Sequence, residues 1–582
     1  MRTPTGSMAT VIKVHDLLIR GGWIVDGTGA ERRRADMVVD SGRITTIGPD
    51  LKADSARVIE ADGRMVCPGF VDVHTHYDAQ VFWDGTLSPS PLHGVTTVIG
   101  GNCGFSIAPL SDDPTDGEYL MRMLSRVEGM PLDSLRTGVP WNWRTTAEYF
   151  DAVGPLLAIN AGFKVGHSAL RRVAMGDEAT EREATDREVS AMSSLLRDGL
   201  TAGAMGFSST WSVTHNDPEG RPVPSRLASR EEILTLCSVL KEFPGTSLEM
   251  LAAAGGPTDD ESKALLCDMS LAAGGRQVNW NVMQVTARNL QECLAKLDAS
   301  TYAAERGAKV VALTVPMVIA ARLSLASGFV LDAIPGWEEV MFLPPDDKKR
   351  VLSDPEERKR LNCLAQGDHP FRPLANWGAM TIFDTVAEEN QSYAGRTVAD
   401  IAAERSCDPF DALLDIALAD DLLTSFGYSE VQASREDWEA RVGIWRDGRA
   451  VIGASDAGAH LDLLATFNYP TRVLAEPVRE HGLLSFEEAV YRMTAVQADL
   501  YGLVDRGRLS EGAYADLIIV DESVVASNPI TLRPDLPGGA ARLYAGASGI
   551  DDVLVAGTPV VTDGKFTDHR PGRVLRSGAD SR

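Results

Sequence analysis

One stretch constrains this chain more than any other: Pro68-Gly69-Phe70-Val71-Asp72-Val73-His74-Thr75-His76. A Pro-Gly turn leads into an apolar run that ends in His-Thr-His, the pattern of a short buried strand with a polar tip. Side chains in a strand alternate faces, so the imidazoles at i and i+2 point the same way. Two imidazoles on one side of a strand tip are a metal-ligand geometry, because neutral imidazole is the commonest nitrogen ligand of zinc-like ions. A bare His-x-His is more often one packed and one solvated histidine. The turn and the apolar lead-in, taken with segments further along the chain, favour the metal.

At 582 residues the chain exceeds one ordinary domain, and a hydrophobic content of 44% is ample for a large core. The formal net charge is -26, from 82 acidic and 56 basic residues. Nucleic acid or an anionic membrane would need a basic face, so neither is expected as a partner, and the acidity reads as simple solubility. No apolar run reaches the roughly 18 residues of a spanning helix. Met1-Arg2-Thr3-Pro4 lacks the apolar centre of a signal peptide, and Gly6-Ser7-Met8 has the form of a cloning junction. The cysteines (Cys67, Cys103, Cys237, Cys267, Cys293, Cys363, Cys407) are odd in number and widely spaced, which is thiol usage, not a disulfide framework. The expectation is a cytoplasmic protein acting on a small molecule.

Both ends of the chain are rich in short strands. Asp16 to Arg20, Trp23 to Val25 and a hairpin over Asp36 to Gly48 lie at one end; Ala515 to Val520 and Asp552 to Gly557 lie at the other. They predict one small β-sandwich built from residues 11–66 and 501–575. Between them strand and helix signals alternate. After the strand ending at His76, buried-strand candidates cover residues 96–100, 157–160, 202–207, 246–250, 277–283, 309–314 and 451–456. Helices start between them at Thr185 with Glu188 and Ser229 with Glu232, and after the last strand at Ser485 with Glu488, each spaced as a capping box. Eight strand-helix units predict an α/β fold, a (β/α)8 TIM barrel over residues 67–500, with a doubly wound sheet as the rival. A long excursion over about 317–449 separates the seventh and eighth strands, as a lid or substrate wall would.

In a parallel barrel the C-terminal strand ends converge on one face, where active sites lie. His74 and His76 end the first strand, Cys103 follows the second, Glu249 lies in the fifth and Asp456 ends the eighth. Two imidazoles, carboxylates and a thiol drawn together suit a divalent transition metal. Such a metal would lower the pKa of bound water towards about 7 and polarise a carbonyl. Asp456 would take the water's proton and return it to the leaving group. Each residue has a plainer reading: an inert buried thiol for Cys103, a surface carboxylate for Glu249. His460 shares a face with Asp456 if the chain turns helical from Gly458, and then contacts substrate or supports a ligand. His167 and Arg171 follow the third strand; Arg171 suits a substrate carboxylate, with a structural salt bridge as the favoured plainer reading.

Together these motifs resemble the amidohydrolase superfamily and, within it, the N-acyl-D-amino-acid deacylase (D-aminoacylase) family. The resemblance covers nearly the whole chain. It rests on Cys67 to His76, Gly94-Val95-Thr96-Thr97-Val98, Gly101-Asn102-Cys103-Gly104, Gly166-His167-Ser168, Gly203 to Ser208, Ser455-Asp456, and the tail from Asp505-Arg506-Gly507-Arg508-Leu509 to Ala515-Asp516-Leu517. It implies a metal-containing (β/α)8 barrel beside a β-sandwich, with His74, His76 and Asp456 at the metal, Asp456 as acid/base and Cys103 as a zinc ligand. The deacylases also carry a metal-binding His on each of the fifth and sixth strands. Here the matching segments read Leu248-Glu249-Met250-Leu251 and Asn281-Val282-Met283-Gln284, without His. Glu249 replaces one nitrogen with an oxygen donor; Val282 offers nothing. A divalent metal, zinc first, as one or two ions, is the expected cofactor, and hydrolysis of an amide C–N bond, as in an N-acyl-D-amino acid, the expected reaction. A lactone, a cyclic amide or a C–C bond is the second reading, and a metal-poor binding or scaffold protein the third.

Overall fold

The computed structural model describes residues 14–253, 256–257, 259–317, 321–369, 371–428 and 433–582. The expectations for the leading residues, including the Gly6-Ser7-Met8 junction, fall outside these. The two β-rich ends meet in one nine-stranded sheet. Its order runs Lys565–Phe566, Thr558–Thr562, Ile550–Val555, Leu517–Val520, Met65–Pro68, His15–Ile24, Arg33–Asp40 and Arg43–Gly48, with Ser55–Glu60 alongside His15–Ile24. Leu517–Val520 pairs antiparallel with Met65–Pro68, so a strand of the C-terminal segment is hydrogen-bonded directly to the strand that feeds the His-x-His stretch. The two short strands expected on either side of Gly21-Gly22 are one strand, His15–Ile24, whose register slips between Ile19 and Gly22. A bulge accommodates the glycine pair within the strand.

The middle of the chain carries eight parallel strands in sequence order. They are β1 (Phe70–Asp72), β2 (Val95–Gly100), β3 (Asn160–Phe163, continued by Val165–Gly166), β4 (Gly206–Thr210), β5 (Ser247–Leu251), β6 (Val278–Gln284), β7 (Val310–Val315) and β8 (Ala450–Ile452). β1 to β3 form a three-stranded array, and the continuation of β3 begins a six-stranded one that ends on β8. The far margins of the arrays meet: Thr75 bridges Ala457 in parallel, and the amides of Asp456 and His76 donate to the carbonyls of His74 and Ala457. Side chains of these strands are buried almost throughout, as expected of parallel strands covered on both faces. β3 and β4 lie further along the chain than residues 157–160 and 202–207. The apolar lead-ins Leu157-Ala158-Ile159 and Ala204-Met205 are equally buried, so hydrophobicity alone does not mark where pairing starts.

Of the three helix starts, Thr185 forms a complete capping box with Glu188. Ser229 and Ser485 cap their helices, Arg230–Val239 and Phe486–Met493, by accepting from the backbone amides of Glu232 and Glu488. The two glutamate side chains turn elsewhere: Glu488 pairs with Arg446 and Arg492, and Glu232 goes inward. The excursion between β7 and β8 holds a hydrophobic cluster of its own, from Leu323 to Phe426, in which Trp337, Trp377 and Phe410 pack ring on ring. The lobe ends earlier than residue 449, because Trp438, Val442, Ile444 and Trp445 of helix Arg435–Arg446 belong to the main core. It docks on the loop after Asp456: Leu463 joins its core, and the Arg322 amide donates to the Leu463 carbonyl at 2.9 Å. Among the described residues no helix is long and apolar enough to cross a membrane.

Candidate metal centre

The tip of β1 and the loop after β8 come together as the strand order requires. Asp456 Oδ1 lies 3.1 Å from His74 Nε2 and 3.7 Å from His76 Nε2. Cys103 Sγ lies 3.6 Å from His74 Nε2, and donor atoms of His74, His76 and Cys103 all fall within 4.8 Å of one another. Bonds of about 2.0–2.3 Å in a tetrahedral shell put neighbouring donors roughly 3.3–3.7 Å apart, so the spacing suits a zinc-sized ion. Both imidazoles are almost wholly buried, whereas the Asp456 side chain is 22% exposed. The site is sealed on the strand side and open on the side of the β8 loop.

Two further features, beside the backbone hydrogen bonds between them, hold these tips together. Buried Asp72 accepts from Ser455 Oγ at 2.6 Å, which ties β1 to the residue before Asp456. Burial pushes the Asp72 carboxyl up to about 7, against that hydrogen bond. Gly458, at φ 91°, lets its loop approach the His76 backbone, where a Cβ would stand 2.8 Å from the carbonyl carbon. Cys103, Asp456 and His460 adopt φ of 55°, 54° and 48°, a left-handed conformation that non-glycine residues enter at a cost and that clusters at working sites. His460 therefore does not continue a helix from Gly458. It sits in a turn, stacked on Phe329 at 4.9 Å, with its amide donating to the Glu128 carbonyl.

Glu249 points into the centre from β5. Its Oε2 accepts from the Cys103 amide at 2.7 Å, while Oε1 is buried with no partner. His74 Nδ1 is likewise buried without a hydrogen bond. On β6, Val282 packs against apolar neighbours, and the adjacent Asn281 Nδ2 reaches Cys103 Sγ at 3.5 Å. A polar group thus faces the centre one residue before Val282.

Three carboxylates around His76 were not singled out from the sequence. Glu128 Oε1 stands 3.5 Å from His76 Nδ1, brought there by the end of helix Pro114–Val127; burial, partly offset by His76, pushes its carboxyl up to about 8. Nothing in its local sequence marks it. Asp78, two residues after His76, accepts from the Gly101 amide, and burial raises it to about 6; its spacing was a usable signal. Asp72 lay inside the motif itself. Burial would discharge His76, yet Glu128 and Asp456 outweigh it and raise its pKa to about 9. Burial works to raise Asp456 too, but the hydrogen bonds from the two histidines hold it well below the usual carboxylate range. Burial and the surrounding carboxylates push the Cys103 thiol well up. This is a cavity crowded with acidic groups, and a cation would pull the raised carboxyls, the Cys103 thiol and His76 back down while holding Asp456 lower still.

His167 and Arg171 depart from the substrate-contact expectation. Both are fully buried; His167 Nε2 and Arg171 meet Glu232 at 2.8 and 2.5 Å, and His167 Nδ1 pairs with Ser209 Oγ. Arg171 also donates to the Arg182 carbonyl. Both His167 nitrogens and the terminal nitrogens of Arg171 are committed to a structural cluster, because a buried guanidinium must find a carboxylate.

A strand-end centre of two histidines, a carboxylate and a thiol on eight parallel strands belongs with metal-dependent hydrolases. A family model described as "Amidohydrolase family" matches residues 57–327 and 373–561, and the chain belongs to that family. Within it the chain is D-aminoacylase-like. It is 29% identical over 576 residues to a D-aminoacylase of Alcaligenes xylosoxydans xylosoxydans, across 96% of this chain and 97% of the other. A solved D-aminoacylase, described as having a binuclear metal centre with one-metal activation, matches at TM-score 0.64 and 27% identity, over 97% of this chain and 100% of that one. The N-acyl-D-glutamate deacylase of Bordetella bronchiseptica, complexed with zinc and a phosphonate mimic of the tetrahedral intermediate, matches at TM-score 0.66 and 26% identity with the same coverage.

Proposed function

We propose that this chain hydrolyses the amide C–N bond of an N-acylated amino acid, in the first place the D enantiomer. The observation that carries the proposal is the convergence of Asp456 on His74 and His76. The eight parallel strands are read as a (β/α)8 barrel over residues 67–500, and the terminal strands, residues 11–66 with 501–575, as a β-sandwich beside it. The donor set fits a divalent cation, zinc by the related enzymes: His74, His76 and Asp456 would hold it, with Cys103 and the free oxygen of Glu249 completing the shell. When bound, it would polarise the amide carbonyl and make water nucleophilic near neutral pH.

The chain's own groups do the rest. Asp456, kept ionised by its histidine contacts, accepts the proton of the attacking water and delivers it to the leaving nitrogen. Asp72 and Ser455 fix the carboxylate's approach, and the Cys103 amide orients Glu249. Harder oxygen donors in place of strand-borne nitrogen loosen the preference for zinc over manganese or cobalt. The test is turnover of N-acetyl-D- and N-acetyl-L-amino acids by the metal-loaded protein, before and after chelation. Turnover that chelator abolishes and added zinc restores supports the reading; full activity in a verified metal-free preparation overturns it.

A further inference from the structure

The loop that carries Asp456 continues into a cavity of about 630 Å³, bounded by the inserted lobe, the loop after helix Pro114–Val127 and the segment near Leu532 and Ala541. His460 and Gly129 line this cavity; the His460 amide donates to the carbonyl of Glu128, whose side chain stands 3.5 Å from His76 Nδ1, so the cavity adjoins the metal centre. Much of the wall is apolar, with Phe329, Phe342, Met341 and Leu463 among its residues. Its three arginines are already paired: Arg122 with Glu219, Arg126 with Asp332 and Arg322 with Asp384. Nearby Lys348 is turned to the carbonyls of Leu325 and Ala326. Burial lowers His460 to about 4, so its ring is neutral.

One charge is left over. Asp462 lines the same cavity, and among the described residues its carboxylate has no ion-pair partner; only its own backbone amide approaches it. Burial raises it to about 6, which still leaves it ionised at neutral pH. A carboxylate in a mostly apolar wall, partly desolvated and without a counter-charge, gains far more from a cation than from any neutral group. We propose that this cavity takes the end of the substrate remote from the scissile bond, and that this end is a cation, a primary ammonium or a guanidinium, paired with Asp462. The inference rests on the amide-hydrolase reading and narrows its substrate class to N-acylated basic amino acids and other amides with a cationic tail.

The experiment compares kcat/KM for N-acetyl-lysine, N-acetyl-norleucine and N-acetyl-glutamate, each as both enantiomers, in the zinc-loaded wild type, Asp462→Asn and Asp462→Lys. Wild type should favour lysine over norleucine about 30-fold, the size expected of one partly buried charge pair. Asp462→Asn should bring that ratio towards one, and Asp462→Lys should move the preference to glutamate. Norleucine turned over as well as lysine, or a ratio unmoved by Asp462→Asn, overturns the inference while leaving amide hydrolysis intact. If no acetylated amino acid is hydrolysed, the chemistry fails and the pocket is judged separately by calorimetric titration with n-hexylamine. Binding weakened about tenfold in Asp462→Asn supports the pocket, and equal binding by the two proteins rejects it.

Discussion

Two buried clusters of imidazole and carboxylate lie within a few strands of each other, and they are built in opposite ways. In the Glu232 cluster the charges are matched: His167 and Arg171 share the glutamate, and the second nitrogen of His167 meets Ser209, which leaves Arg171 Nε without a partner but no carboxylate oxygen or imidazole nitrogen. In the His74 cluster carboxylates crowd the histidines, yet His74 Nδ1 and Glu249 Oε1 are left without partners. Buried polar groups in a finished core are paired, so the unpaired set is the one that awaits a ligand. Residue type alone does not separate the two; satisfaction does.

Substitutions test that contrast. The largest expected effect is at Asp456: Asp456→Asn should lower kcat about 10²–10⁴-fold, as loss of a general acid/base does, with the far-ultraviolet spectrum unchanged. Glu232→Ala should do the reverse. It strands a buried guanidinium, so denaturant titration should show a loss of about 3–5 kcal/mol, while metal content per folded protein stays at the wild-type level. Loss of metal from folded Glu232→Ala would erase the distinction between the clusters.

A third buried histidine sharpens the comparison. His93 Nε2 donates to the Ala545 carbonyl at 3.1 Å and its Nδ1 pairs with the Thr471 hydroxyl at 2.8 Å, both uncharged partners, and burial lowers its pKa to about 4. The unfolded chain therefore takes up a proton that the folded one refuses between about pH 6.5 and 4. Stability falls as pH drops through that window and levels off below it, by at most about 3 kcal/mol. His93→Gln should flatten this part of the stability-against-pH curve; a slope equal to that of the wild type would remove His93 from the explanation. The smallest effect is expected at Glu249→Gln, which keeps an acceptor for the Cys103 amide but loses the charge. Metal affinity by competition with a chromogenic chelator should drop about 10–100-fold. An unchanged affinity would place Glu249 outside the shell.

Much of this was legible before any coordinates, for identifiable reasons. The His-x-His tip and the Ser-Asp after the eighth strand are local patterns on opposite margins of the parallel strands, and the bridge between Thr75 and Ala457 brings them together. The starts of β3 and β4 were placed several residues early, because lead-in and strand are equally apolar and only hydrogen-bond register distinguishes them. Glu128 was invisible: it reaches His76 from a helix end whose docking no short-range pattern encodes. His167 and Arg171 looked functional because a buried ion pair and a ligand-binding pair have the same composition. Their partner Glu232 had been read as half of a capping box, and the backbone half of that box is present.

The central claim is best tested by anomalous diffraction from crystals of the zinc-loaded protein, recorded on both sides of the zinc absorption edge. The account predicts a peak bounded by His74 Nε2, His76 Nε2 and the Asp456 carboxylate, and its loss in His74→Ala. Ordered side chains in this arrangement with no peak among them, at saturating zinc, would contradict it.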